Sequence, residues 1–351
     1  MVFYTQIKEF PNIMIKRKRN KLLSGFHNLF LLYTLFLFSS ISTILTIPSY
    51  AEDKPLRQLK IPELSLGQEG ISSWQEKVRH ELSQRLSLPN TKPPSFNEKH
   101  IKKEENLKWN LEEIEIQSTL QRRIYISLAT LSPKEEKKYP AIVCIHGHGG
   151  NRYTAFENEP SPYHEFGKTL VQNGFVVITT DVGQHEVYEK DRTLMGERLW
   201  DLMRCVDYLE TLPFVDKNRI GCAGLSLGGE MAMWLGAMDT RIKATVVCGF
   251  LTYMDQMEKN HCMCWKFEGL RELVDFPDIY GLIVPRALQC QNGEKEPSDQ
   301  FPPSLAKKAW AEIIPAYRAF NAEEKAEWII HSGGHEIAIE PMLKFLKRNL
   351  S

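Results

Sequence analysis

The sequence predicts an α/β fold: a mainly parallel central sheet covered by helices on both faces, with a helical extension at its N-terminal end. Three observations predict it. Short apolar, β-branched runs alternate with helical segments from residue 141 onward, two strands of alternating pattern precede them, and a charged, Pro-containing stretch with one amphipathic segment precedes those. With 351 residues and 42% hydrophobic content, the chain can bury one large core plus a modest extension.

At the N-terminus, Lys16, Arg17, Lys18, Arg19 and Lys21 precede an apolar run from Leu29 to Ile47. The run ends at Pro48-Ser49-Tyr50-Ala51, with small residues at the two positions a signal peptidase reads, and the polar Glu52-Asp53-Lys54 follows. Residues 1–51 therefore read as a signal peptide or membrane anchor. Cleavage after Ala51 is the preferred reading, although a run of this length nearly spans a bilayer and would tether the chain through residues 29–47 if left uncleaved. Export to the periplasm or the extracellular space is the expectation. The 44 basic and 44 acidic residues balance overall, but 6 of the basic and 1 of the acidic lie in residues 1–51, leaving 38 and 43, a net of −5, beyond them. Nothing in that balance suggests nucleic acid.

Residues 52–110 read as an N-terminal extension, with one amphipathic helix near Ile71 to Leu88 on which Trp74, Val78 and Leu82 recur at helical spacing. Residues 111–351 read as the main domain. Its strands Glu113 to Ser118 and Arg123 to Ala129 alternate as an antiparallel pair does, and the buried strand Ala141 to Ile145 follows. Then come strand Phe175 to Thr180, helix Leu194 to Glu210, strand Ile220 to Ala223, helix Leu227 to Ala237 and strand Lys243 to Cys248, the βα alternation of a parallel, doubly covered sheet. Strands Ala287 to Gln291 and Ala326 to Ile330 flank a helix near Leu305 to Phe320, and the helix Ile337 to Leu350 closes the chain. No internal repeat is visible.

The strand Ile220 to Ala223 runs directly into Gly224-Leu225-Ser226-Leu227-Gly228-Gly229, and an Ala/Met/Leu-rich helix follows at once. This is a nucleophile elbow in its proper setting: the turn strains the backbone of Ser226, and Gly224 and Gly228 lack side chains where strand and helix approach. No Lys stands at a Walker position and the dinucleotide glycine spacing is absent, which sets nucleotide loops aside. A second landmark, His146-Gly147-His148-Gly149-Gly150-Asn151, follows strand Ala141 to Ile145, where backbone N–H groups can bind a developing oxyanion. The N–H groups of Leu227 and His148 are assigned to that hole, with Gly149 as the substitute if the loop is shifted by one.

A hydroxyl is a weak nucleophile at neutral pH, so a base is required. His335, reached through the flexible His331-Ser332-Gly333-Gly334, is preferred over His331, which still belongs to the strand end. The acid that holds the imidazole is sought after strand Ala287 to Gln291, in Asn292-Gly293-Glu294-Lys295-Glu296-Pro297. Glu296 is favoured, Glu294 is the alternative, and Asp299 a weaker one.

Seven cysteines is an odd number, and Cys144, Cys222, Cys248 and Cys290 each lie in a short apolar run that reads as a small core position. Cys262-Met263-Cys264, with His261 beside it, could make a metal corner or a strained redox pair if other ligands converged; the sequence shows no second cluster, so a structural or substrate-lining role is preferred and no metal is expected. Asp181, Gln184, His185 and Glu186 form a polar cluster after the strand ending at Thr180, read as loop hydrogen bonding in preference to metal binding. The stretch Phe250 to Tyr280 carries Met254, Met257, Met263, Trp265 and Phe267, which either roof the pocket or pack against the extension.

The elbow, the His-Gly-His-Gly-Gly loop and the chain order Ser226, Glu296, His335 together resemble the dienelactone hydrolase and acetyl xylan esterase-like group of bacterial α/β-hydrolases, over roughly Glu113 to Leu350. The family-like pieces include Asp181, the stretch Arg204 to Leu209 and Asp216 to Ile220. Dienelactone hydrolase proper is expected to use a Cys nucleophile and an Asp, where this chain has Ser226 and Glu296, so dienelactone itself is not the expected substrate. The resemblance implies a serine esterase that needs no cofactor and acts on small-molecule or carbohydrate esters. Two rivals stand beside it: a small serine peptidase, weakened by the absence of propeller repeats, and a noncatalytic binding protein on the same fold, weakened because all three catalytic positions are filled.

Overall fold

A computed structural model describes residues 56–62, 66–105, 108–132 and 137–350. The apolar run at 29–47 and the cleavage point at Ala51 lie outside the described residues. Among the described residues, no helix is long and apolar enough to cross a membrane.

In chain order the strands are β1 (Lys99–Glu105), β2 (Trp109–Gln117), β3 (Arg123–Leu131), β4 (Tyr139–Ile145), β5 (Val176–Thr180), β6 (Val215–Leu225), β7 (Ile242–Cys248), β8 (Ala287–Gly293) and β9 (Ala326–His331). The helices are α1 (Gly67–Arg85), α2 (Phe166–Gln172), α3 (Leu194–Thr211), α4 (Leu227–Met238), α5 (Met254–Met257), α6 (Leu270–Leu273), α7 (Phe276–Gly281), α8 (Pro303–Ala319) and α9 (Ile339–Leu350). The strands form one sheet in the order β1-β2-β3-β5-β4-β6-β7-β8-β9. Pairing is antiparallel from β1 through β3 to β5, and parallel from β5 through β4 to β9. The α/β expectation and the βα alternation are thus met.

Strand side chains alternate between two cores. Ala141, Val143 and Ile145 of β4 face the core built with α1, α3, α4, α7 and α8, while Ile142 and Cys144 face the one built with α2 and α9. β4, β7 and β8 are covered on both sides; β4 and β7 accordingly read as mainly apolar runs, whereas β8 carries the buried polar side chains Gln289, Gln291 and Asn292. β2, with a half-open face, alternates.

The extension packs differently from the sequence division. Ile71, Val78 and Leu82 of α1 are fully buried and join the same core as β4 and β6. Ahead of α1, the N–H groups of Arg57, Gln58 and Leu59 donate to the carbonyls of Arg271, Glu272 and Leu273 at 2.8–2.9 Å. Arg57 also grips the fully buried carboxylate of Asp278 through Nε at 2.6 Å and Nη2 at 2.9 Å, and Asp278 accepts the Ile61 N–H at 2.6 Å. A buried carboxylate is tolerable only with such donors. The division between residues 110 and 111 is therefore not a boundary in packing.

β1 is not legible as a strand in the sequence because it is Lys99-His100-Ile101-Lys102-Lys103-Glu104-Glu105, exposed along its whole length. Its pairing with β2 makes it a strand, and its charges suit an edge that must not recruit another chain. Of the two roles expected for the stretch Phe250 to Tyr280, the structure shows packing, against the core and against the extension. Met254, Met257 and Trp265 are buried in the core and residues 271–278 engage the extension, whereas Met263 is 44% exposed.

Candidate active site

β6 ends at Leu225 and α4 begins at Leu227, so Ser226 is the single hinge residue, held at φ 62°, ψ −123°. A non-glycine residue keeps such a conformation only when its surroundings impose it. They do so by close packing. A Cβ on Gly224 would lie 2.3 Å from the Gly228 carbonyl oxygen, and one on Gly228 2.2 Å from that of Ile145. The Ser226 N–H donates to the Cys248 carbonyl at 3.0 Å, and its own carbonyl accepts from Glu230 N–H at 2.9 Å.

His335, on the loop between β9 and α9, holds its Nδ1 2.9 Å from Oε1 of Glu296, which sits on the loop after β8 with its side chain 1% exposed. Glu294 and Asp299 are exposed. His331, the last residue of β9, accepts the Gly333 N–H on Nδ1 at 3.3 Å, and burial lowers its pKa. The structure brings Glu296 and His335 together and leaves the other three candidates apart.

Two residues that no sequence motif singles out complete this contact. Gly249 directly follows Cys248, whose carbonyl holds the Ser226 amide, and stands at φ +60°. A Cβ there would fall 2.6 Å from Cε1 and 2.8 Å from Nδ1 of His335, and 3.4 Å from Oε1 of Glu296. Gly249 is thus the meeting point of the end of β7, the imidazole and the carboxylate; a glycine directly after a parallel strand beside the elbow was the available signal. Phe301 stacks on the imidazole, its ring 5.6 Å from that of His335 at 19°. It restricts how far the imidazole can turn.

The loop after β4 is held by His146 and Tyr163. The buried His146 accepts the Val182 N–H on Nε2 at 3.0 Å, which fixes the neutral tautomer with Nδ1–H donating to the Gly147 carbonyl at 2.8 Å; burial lowers its pKa. The Gly147 N–H is taken by Tyr163 Oη at 2.7 Å, and a Cβ on Gly147 would lie 3.2 Å from Ser226 Cβ. The next amides along the loop, those of His148 and then Gly149, therefore follow directly from the nucleophile's neighbour. Leu227 is the first residue of α4, whose first-turn N–H groups have no acceptor within the helix. Its N–H lies at the positive end of the helix dipole.

The imidazole of His148 has separate company. Its Nε2 lies 3.2 Å from Cys264 Sγ and its ring 5.6 Å from that of His185. Burial, reinforced by the nearby Arg198 charge, lowers its pKa to about 4. His261, the neighbour of Cys262 in sequence, is turned away, with Nε2 3.0 Å from the Asp299 carbonyl oxygen and its ring 5.4 Å from Phe301. Asp181 makes the loop bonds expected of it, accepting Arg152 N–H and Nη1 at 2.8 Å each. Cys144, Cys205, Cys222, Cys248 and Cys290 are buried and free of disulfides.

Under the elbow, Glu230 in the first turn of α4 is fully buried, and desolvation pushes its pKa up to about 8 against the opposing pull of Arg198. A cleft of about 710 Å³ opens beside the oxyanion loop, lined by Gln121, Arg123, Tyr125, Tyr188, Asp181 and Gly149 among others. Ser226, Glu296 and His335 do not line it, whereas Gly149 and Gly150 of the loop after β4 do.

Residues 127–258 match the model of the dienelactone hydrolase family. The chain is 28% identical over 178 residues to YtaP of Bacillus subtilis, a protein described as a hydrolase, covering 44% of this chain and 59% of that one; it spans less than two thirds of that relative's length. Among solved structures, it is similar to a Bacteroides fragilis protein described as an acetyl xylan esterase, with TM-score 0.66 and 18% identity over 80% of this chain and 79% of that one. A glucuronoyl esterase from Solibacter usitatus aligns with TM-score 0.65 and 18% identity over 84% of this chain and 99% of that one. At these identities the likeness is one of fold.

The crowding at Gly249 and the burial of Glu230 each have a measurable consequence. Gly249→Ala should lower kcat about 100-fold by displacing His335, beyond a stability loss of about 1–3 kcal/mol from the strained φ; wild-type kcat, measured beside a melting curve, would show that the crowding at Gly249 is harmless. Because the folded pKa of Glu230 is raised from 4.5 to about 8, the unfolded chain releases this proton earlier, and stability declines as pH rises through that window. The slope from this group is at most about 1.4 kcal/mol per pH unit. Glu230→Gln should flatten that decline in urea titrations between about pH 5 and 8, and parallel slopes in both proteins would refute the assignment.

Proposed function

We propose that this chain, an α/β-hydrolase by fold, is a serine carboxylester hydrolase that works through an acyl-enzyme intermediate. The observation that carries the reading is the 2.9 Å contact of Glu296 with His335 Nδ1, made against Gly249 at the end of the strand whose last carbonyl holds the Ser226 amide. With Nδ1 engaged, Nε2 is the ring nitrogen that remains for the Ser226 hydroxyl. In this mechanism His335 takes the hydroxyl proton as Oγ attacks the ester carbonyl, and Glu296 stabilises the imidazolium. The N–H groups of Leu227 and His148, with Gly149 next in line, hold the oxyanion. His335 then protonates the departing alcohol and activates the water that releases the acid. No step requires a cofactor.

Carbohydrate esters are the substrate class we favour. The polar and aromatic lining of the cleft beside the loop after β4, with Gln121, Arg123, Tyr125 and Tyr188, supports it, since sugars are bound by stacking faces and hydrogen bonds. The names of the fold neighbours point the same way. The basic-then-apolar N-terminus supports action outside the cytoplasm, where such polymers lie.

Ser226→Ala and His335→Ala should each lower kcat/KM for p-nitrophenyl acetate by roughly 10⁴-fold or more, and the double variant should be little worse than either. Glu296→Gln should cost roughly 10²–10⁴-fold and Glu294→Gln almost nothing. Full turnover in Ser226→Ala, or equal mild losses in both Glu variants, would contradict the mechanism. Acetate release from acetylated xylan tests the substrate class. Intact mass of the exported protein should fit a chain beginning at Glu52; a full-length mass in the membrane fraction would make residues 29–47 an anchor.

A further inference from the structure

We propose that His148, His185, Cys262 and Cys264 form a tetrahedral site for a zinc-class divalent cation at the rim of the active site. The four come from three loops: His148 from the one after β4, His185 from the one after β5, and the two cysteines from the stretch between β7 and β8. One ligating atom from each lies within 4.8 Å of the other three, and His148 Nε2 to Cys264 Sγ is 3.2 Å. Zinc bonds of about 2.0–2.3 Å at tetrahedral angles put ligand atoms roughly 3.3–3.8 Å apart, so the set needs to contract by about 1.5 Å at most.

The donors select the metal. Two thiolates and two neutral imidazoles are the soft-to-borderline N₂S₂ set that zinc prefers, and two thiolates cancel its charge. Calcium and magnesium want oxygen ligands, and this set offers none. Four protein ligands leave no open position, so the metal's work is structural. It ties the stretch around Cys262 to the loop that carries the His148 and Gly149 amides, while His146 already joins that loop to Val182. The link to the oxyanion hole rests on the function proposed above; the binding itself does not.

Sequence order conceals the site because the histidine next to the Cys-Met-Cys is the wrong one. His261 faces Asp299, whereas the ligating histidines precede Cys262 by 77 residues or more.

The test uses the full chain purified without chelators. Metal analysis should find about one zinc per chain. After chelator dialysis, Co²⁺ should bind with the intense visible bands of a tetrahedral site and thiolate-to-cobalt charge transfer, which Zn²⁺ then abolishes. Zn²⁺ should raise the melting temperature of the dialysed protein, as any ligand of the folded state alone does. Cys262→Ser and His185→Ala should each weaken Co²⁺ binding by more than the roughly 10–100-fold that loss of even an outer partner costs, with cooperative unfolding retained. The proposal is overturned if cooperatively folded protein binds no Co²⁺, if its Co²⁺ spectrum is the weak one of a six-coordinate oxygen site unchanged by Cys262→Ser, or if Cys262 and Cys264 are joined as a disulfide in the unreduced protein. Should Co²⁺ bind as described while Ser226 fails to react with a fluorophosphonate, only the hydrolase reading falls.

Discussion

The site depends on one steric constraint, the backbone-to-backbone contact among the ends of β4, β6 and the first turn of α4. Gly224, Gly228 and the Ile145 carbonyl approach so closely that no Cβ fits between them. That contact forces the chain to reverse within a single residue, and the residue is Ser226. Its positive φ is sustained by two backbone hydrogen bonds and by a helix that could not begin elsewhere without opening the core beneath it. Strain at Ser226 is therefore a property of the whole layer packing, not of the turn alone.

Parallel strands place all their C-terminal ends on one edge of the sheet, and the loops leaving that edge supply every reacting group of the proposed mechanism. β4 contributes the oxyanion loop, β6 the nucleophile, β7 Gly249, β8 Glu296 and β9 His335. Their alignment follows from strand register; β6 Leu225 pairs with β7 Cys248, and β8 Gln291 pairs with the same residue from the other side. Below this edge the environment is dry enough to hold Glu230 as a neutral acid up to about pH 8. Hydrogen bonds and charges in such surroundings are stronger than they would be in water.

The extension and the stretch between β7 and β8 support one another. Arg57 and the segment behind it lean on residues 271–278, and α1 binds the chain around α4 and α7 through Arg79 to the Ala237 carbonyl and Gln75 to the Gly281 carbonyl. The same stretch also brings Cys262 and Cys264 towards the oxyanion loop, with Cys264 against His148.

Much of this was legible in the chain itself. The α/β alternation, the elbow at Ser226 and the identity of the loop after β4 are local patterns, set by side-chain periodicity and by the glycine spacing a strand-to-helix reversal demands. The fully exposed β1 had no apolar pattern to read, and the division at residue 110 looked like a boundary because composition changes there while packing does not. Sequence favoured Glu296 over Glu294 and Asp299 by its place on the loop alone, since all three carboxylates lie there; the tertiary fold buries Glu296, and not the other two, against His335 and Gly249. The gathering of His148 and His185 about Cys262 and Cys264 was likewise decided only by folding. Periodicity determines which face of an element is buried, but the meeting of loops distant in sequence depends on strand order, and strand order is fixed only when the sheet is assembled.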